Sequence, residues 1–222
     1  MAKPFLLYTA PTPNGHKVSV FLEELKTLYP NVDYDVEKIN ISTNVQKEPW
    51  FIALNPNGRI PVLVDRSRDN FVIFETAAIL VYLAQQYDKN KTYTLDPISE
   101  PNDYSEMLQW IFLRMVESAR CKDSPTISIG QLRRTFHMPK SDTRRRPRGS
   151  TAFSKSDSKS ATGWPDLVAA RFRSPTSMLR PGEVRIHKYA GLETIDEFPK
   201  FKAWLARILD RPAVQAGIAV PA

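Results

Sequence analysis

The sequence has one cysteine, Cys121, which rules out an intramolecular disulfide and fits a reducing compartment. No apolar run is long enough to span a bilayer, and no secretory leader pattern opens the chain. A cytoplasmic protein with no membrane partner is therefore the expectation. A Gly-rich phosphate loop, a zinc motif and a Ser/His/Asp signature are all missing. His137 and His187 lack metal-ligand spacing, so no metal is expected, and His16, just after Asn14-Gly15, reads as structural. What remains is an ordinary globular composition, 42% hydrophobic and 25% charged. The net charge of +7 invites a nucleic-acid reading, but it is not spread evenly. Residues 114–183 alone carry +9, which leaves the rest of the chain at −2, and no nucleic-acid partner is expected.

Order is easiest to read over residues 1–90. Phe5-Leu6-Leu7-Tyr8 predicts a short strand, broken by Pro11, Pro13 and Gly15. Asn14 is a candidate cap for a helix whose apolar face is Val18, Phe21, Leu22, Leu25 and Leu28. Tyr34 to Ile39 predicts a second strand, which completes a βαβ unit. Gln46 to Leu54 reads as a short helical stretch leading into the turn Asn55-Pro56-Asn57-Gly58. A strand through Pro61-Val62-Leu63-Val64-Asp65 follows, then Phe71 to Phe74, then a helix from Glu75 to Tyr87. The βαβ-ββα order is a thioredoxin-like layout, so the expected fold is an α/β N-terminal domain. Residues 91–102 read as a linker, and residues 103–222 as an all-α C-terminal domain. Its expected helices include Tyr104 to Phe112, with Met107, Leu108, Ile111 and Phe112 inward. A later helix carries Phe201, Trp204, Leu205 and Ile208 at i, i+3, i+4, i+7 spacing.

Pro61 is the odd residue in this pattern. Proline removes a backbone donor and rarely begins a buried strand, although an edge strand tolerates it. The X-Pro bond is also the peptide bond that becomes cis at low cost. A cis Ile60-Pro61 bond would turn the Ile60 amide and carbonyl away from the sheet, toward an extended peptide beside it.

The run from Asn55 to Asp65, with Phe71 to Thr76 and the helix to Tyr87, resembles the glutathione-binding half of the glutathione S-transferases. The segment from Tyr8 to Leu25 is similar to the Nu class and the fungal nitrogen-repressor-like branch, and His187 to Gly217 resembles the family's last helices. The resemblance implies glutathione as co-substrate, no metal and a homodimer built on the 75–87 helix and the helix near Tyr104. The implied chemistry is attack of the glutathione thiolate on a hydrophobic electrophile or a disulfide. It implies that Ile60, opened by Pro61, pairs its main chain with the cysteinyl residue. The Thr76 amide at a helix start would take the γ-glutamyl carboxylate and Glu75 its ammonium; Thr76 stands where the family usually has Ser. Gln46 falls at the glycyl end, with Arg59 either near it or simply an exposed turn residue. Tyr8 is present near the first strand's end, but the resembling branch uses Thr12 and Asn14 as donors to the sulfur. The plain readings, Glu75-Thr76 as a helix cap and Asn14 as a helix cap, stay open at this point. So does a non-catalytic glutathione-binding regulator, and the acceptor substrate is not named by the sequence.

Residues 114–183 depart from all of this. They are rich in Arg, Ser and Pro and carry no helical or strand period, which fits a disordered insert or a displaced reading frame. Joining the third base of each codon to the first two of the next permits, from Arg148 to Ser158, the string Arg-Leu-Tyr-Gly-Val-Leu-Glu-Lys-Arg-Leu, which is amphipathic and helical. From Ala170 to Leu179 the same offset permits Lys-Phe-Ser-Ile-Ala-Asp-Ile-Asn-Ala, a capping-box helix start that resembles the family's. The expectation is that roughly residues 113–183 are out of frame, that the C-terminal domain is irregular over 114–183, and that the last helix leans on the N-terminal domain. A product of this kind could be inactive, and Cys121 within it is no candidate nucleophile.

Overall fold

The computed structural model describes residues 2–109, 111–112, 196 and 199–221. Cys121, His137, His187 and the expectations for 113–183 lie outside the described residues. Four strands, β1 (Phe5–Thr9), β2 (Tyr34–Lys38), β3 (Val62–Asp65) and β4 (Phe71–Phe74), form one sheet in the order β2-β1-β3-β4. β1 and β2 are parallel, joined through helix α1 (Pro13–Leu28), while β3 is antiparallel to both β1 and β4. Two 3-10 turns, Ile41–Thr43 and Val45–Lys47, lead to α2 (Pro49–Leu54), and α3 (Thr76–Tyr87) follows β4. This is the βαβ-ββα layout the residue pattern predicts.

Strand side chains alternate faces, so the sheet has two cores. On one face Phe5, Leu7 and Leu63 pack with Val18, Phe21, Leu22 and Leu25 of α1 and Ile79 and Leu83 of α3. On the other, Val62 packs with Phe51 of α2 and Ile39, with Tyr8 and Ile60 partly buried against them. Leu28, expected on the inner face of α1, is 42% exposed, and the core contact at this end of the helix is made by Tyr29 instead.

The stretch after α3 is anchored rather than a loose tether. Asp88 is buried and accepts the Tyr29 hydroxyl at 2.8 Å and the amides of Thr92 and Tyr93. Leu95 then packs with Ala77, Met107 and Ile111. Residues 101–109 and 111–112 are helical (α4), starting slightly earlier than expected. Met107 and Ile111 are inward, but Phe112 is 54% exposed and is no core residue of this surface.

Helices α5 (Pro199–Leu209) and α6 (Pro212–Ile218) return to the N-terminal domain. Leu205, Ile208 and Val214 cluster with Val20 of α1. Gly217 permits the close approach: a Cβ there would stand 2.4 Å from the Val20 Cα. The Ser19 hydroxyl donates to the Gly217 carbonyl at 2.6 Å, and Arg211 pairs with the buried Glu24 at 2.6 Å. Among the described residues no helix is long and apolar enough to cross a membrane.

Candidate functional site

The strand register brings the singled-out segments to one end of the sheet. Tyr8 pairs with Val62 and Val62 with Phe74, so the carboxyl ends of β1 and β4 meet the start of β3. Thr9 pairs with Lys38, which places the end of β2 there too. The four connections leaving this edge hold Thr12 and Asn14, Gln46, Ile60 and Pro61, and Glu75 and Thr76. The first turns of α1 and α3 open at the same edge, and neither contains an acidic residue. The dipoles of two helix N-termini, that of α3 without a side-chain cap, make an anion-favouring rim.

The loop before β3 is shaped from inside by Asn55, 1% exposed. Its Nδ2 donates to the Arg59 carbonyl at 2.7 Å and its Oδ1 accepts the Asn57 amide at 3.0 Å. Gly58 closes the turn at φ 58, where a Cβ would meet the Gln46 carbonyl at 2.8 Å. That positive φ and that contact both require glycine. The Ile60-Pro61 bond is cis. Ile60 precedes the β3 ladder, and its amide and carbonyl take no part in the turn, loop and cap hydrogen bonds among the described residues. Arg59 is exposed.

Glu75 sits at φ 69, ψ 122, a left-handed backbone that a residue with a Cβ adopts at a cost of order 1–3 kcal/mol. Its side chain does not cap α3. It accepts a hydrogen bond from Asn57 Nδ2 at 3.3 Å instead, so Glu75 holds the N-cap position, its carbonyl accepting the Ile79 amide at 2.9 Å, while its carboxylate is turned to the neighbouring loop. Thr76, the first residue of α3, is buried. Gln46 lies in the second 3-10 turn, its Nε2 facing the Ile41 carbonyl and Asn44, and its Oε1 buried without a partner. Lys47 Nζ reaches the Asn57 carbonyl at 3.0 Å, tying that turn to the same loop.

At the start of α1 the cap is Thr12, whose Oγ1 accepts the Gly15 amide at 3.2 Å. Asn14 is not the cap, which corrects that reading: Pro13 fills the first helical position, and the Asn14 Oδ1 accepts from Lys17 Nζ at 3.3 Å. The hydroxyl hydrogen of Thr12 and the amide hydrogens of Asn14 remain as donors. Tyr8 turns its ring toward Trp50, with centroids 6.0 Å apart, and serves the core beneath α2. His16 is partly buried with an unpartnered Nε2, and burial lowers its pKa below the ordinary value. Among the described residues no cluster of His, Cys, Asp and Glu could hold a metal. Asn55, Asn57, Lys17 and Lys47 escaped the residue-level reading. Only the turn dipeptides Asn-Pro and Asn-Gly hinted at the first two.

Residues 3–85 match the family described as "Glutathione S-transferase, N-terminal domain". The chain is 39% identical over 114 residues to glutathione S-transferase 1 of Schizosaccharomyces pombe, covering 51% of this chain and 47% of that protein. It is 36% identical over 110 residues to the disulfide-bond oxidoreductase YfcG of Escherichia coli, covering 48% and 46%. The chain thus spans about half the length of the curated relatives it matches. A crystal structure of a glutathione transferase homologue from Lodderomyces elongisporus, with two glutathione molecules per subunit, superposes with a TM-score of 0.65. Its identity is 26%, over 99% of this chain and 100% of that one.

Proposed function

We propose, from the match of residues 3–85 to the glutathione S-transferase N-terminal domain, that the protein binds glutathione at this edge and uses its thiolate as a nucleophile. The convergence of four connections and two helix N-termini on one end of the sheet carries this reading. The Ile60 amide and carbonyl pair with the cysteinyl residue as an added strand would. The Thr76 amide and the α3 dipole take the γ-glutamyl carboxylate, and Glu75 takes the ammonium. Gln46 meets the glycyl end. Thr12 and Asn14 donate to the sulfur, and hydrogen bonds to the charged form lower a thiol pKa.

The thiolate then attacks one of two acceptors. With an electrophilic carbon of a hydrophobic substrate, a carbon–sulfur bond forms and a leaving group departs or a double bond takes the electron pair. With a mixed disulfide of glutathione, the attacked sulfur–sulfur bond breaks, glutathione disulfide forms and the other thiol is released. A homodimer and a cytoplasmic site belong to the same proposal.

Retention on immobilised glutathione, with a conjugation assay and a disulfide-reduction assay, tests it. Retention with either activity is expected. Retention without both identifies a binding regulator, and no retention ends the reading.

A further inference from the structure

One charged side chain in α1 has no part in the mechanism above. Lys17 is 0% exposed, among the largest fully buried side chains of the described residues. Taking an ammonium out of water is costly, so a buried lysine needs polar partners. One of them is Asn14, whose Oδ1 accepts from Nζ at 3.3 Å. The two residues are three apart on a helix and share a face. An ammonium has donors and no acceptor, so the amide atom turned toward it must be the oxygen. The opposite end of the Asn14 amide, the Nδ2 donor, is thereby turned away from Lys17.

We propose that Lys17 is a positioning residue that locks the Asn14 amide with Nδ2 as the end offered to the glutathione sulfur. The proposal rests on the reading of Asn14 as a donor to that sulfur. Without the ammonium, the amide can rotate and present its oxygen, an acceptor that repels a thiolate. The other charged groups of α1 have these partners, although Glu24 Oε1 is buried without a hydrogen-bond partner among the described residues. Glu24 pairs with Arg211 of α6, Glu23 accepts the Tyr34 hydroxyl and Lys26 pairs with Asp33. Burial lowers the pKa of His16, which disfavours its charged form.

The test uses the full chain carrying Lys17→Met, Lys17→Gln or Asn14→Ala, and the double variant Asn14→Ala/Lys17→Met. The thiolate fraction of bound glutathione is read against pH from its ultraviolet absorbance, with affinity for S-hexylglutathione and a thermal melt recorded for each variant. Lys17→Met and Asn14→Ala are each expected to cut the thiolate fraction at neutral pH roughly tenfold, the scale of one hydrogen bond to a charged group. Affinity for the thioether, which has no ionisable sulfur, stays unchanged. Adding Lys17→Met to Asn14→Ala changes nothing further. If Lys17→Met does not fold, Lys17→Gln carries the same expectation in weaker form. A Lys17 variant that melts earlier but keeps the thiolate fraction makes the residue purely structural and overturns the proposal. Full additivity overturns it too. An unchanged thiolate fraction in Asn14→Ala alone removes the underlying reading of Asn14 itself.

Discussion

Asn57 donates its side-chain amide to the Glu75 carboxylate at 3.3 Å, joining the loop before β3 to the start of α3. This bond aims a carboxylate whose own backbone is held at φ 69. Removing it in Asn57→Ala is expected to weaken glutathione binding by roughly three- to tenfold, the worth of one exposed hydrogen bond. Calorimetric titration checks it, and the thermal melt should barely change.

Glu75→Gly separates strain from function. Glycine adopts the left-handed backbone without penalty, so Tm is expected to stay level or rise. Glutathione affinity is expected to fall by tenfold or more as the ammonium loses its carboxylate. A parallel loss of both quantities would mean that Glu75 supports the fold rather than the ligand.

Gly217→Ala places a Cβ 2.4 Å from the Val20 Cα and 2.6 Å from its nitrogen. The collision is with backbone, so a rotamer change cannot relieve it. A loss of about 1–3 kcal/mol is expected, with α6 displaced from α1. Ser19→Ala, which removes only the hydroxyl bonded to the Gly217 carbonyl, should cost about 1 kcal/mol. Denaturant titration of the two variants gives the order.

Alkaline pH should act through partly buried phenols. Burial, then the nearby Glu24 carboxylate, pushes the Tyr93 pKa up to about 12. Burial, then the hydrogen bond to Asp65, raises that of Tyr82 as well. A folded pKa above the unfolded one contributes stability that is complete below the unfolded value, near pH 10, and is lost as pH rises through the folded value. Phenolate absorbance should therefore lag behind free tyrosine above about pH 10, and Tyr93→Phe should remove the part that titrates near 12.

Sequencing the transcript across codons 113–183 is expected to show a displaced frame. An intact frame encoding the printed residues would refute it. A chain rebuilt in the other frame is expected to melt later, because two facing helical segments would join the C-terminal core.

The sheet, α1 and α3 were legible because apolar residues there recur at strand and helix periods. Pro61 and Glu75-Thr76 were legible as oddities placed between those periods. Leu28 and Phe112 misled, since a helical stripe says which residues share a face but not where the neighbouring surface ends. The cap of α1 went to Thr12 rather than Asn14 because Pro13 occupies the first helical position, a rule the residues did contain. Lys17 could not be found, because a lysine on a helix reads as solvated until the packing around it is known. The left-handed backbone of Glu75 was equally hidden, since nothing in a Phe-Glu-Thr run calls for it.

The Ser19 hydroxyl and the Gly217 carbonyl are 198 residues apart along the chain and one hydrogen bond apart in space. A polypeptide leaves the ribosome from its amino end, so the sheet and its two inner helices can assemble while the tail is still untranslated. The outer flank of α1 around Val20 is then completed only after α5 and α6, far downstream along the chain, have been made and have docked. Any cellular factor that shields such newly made surfaces would find its target there, and the docking of α6, rather than sheet formation, sets the moment at which that target disappears.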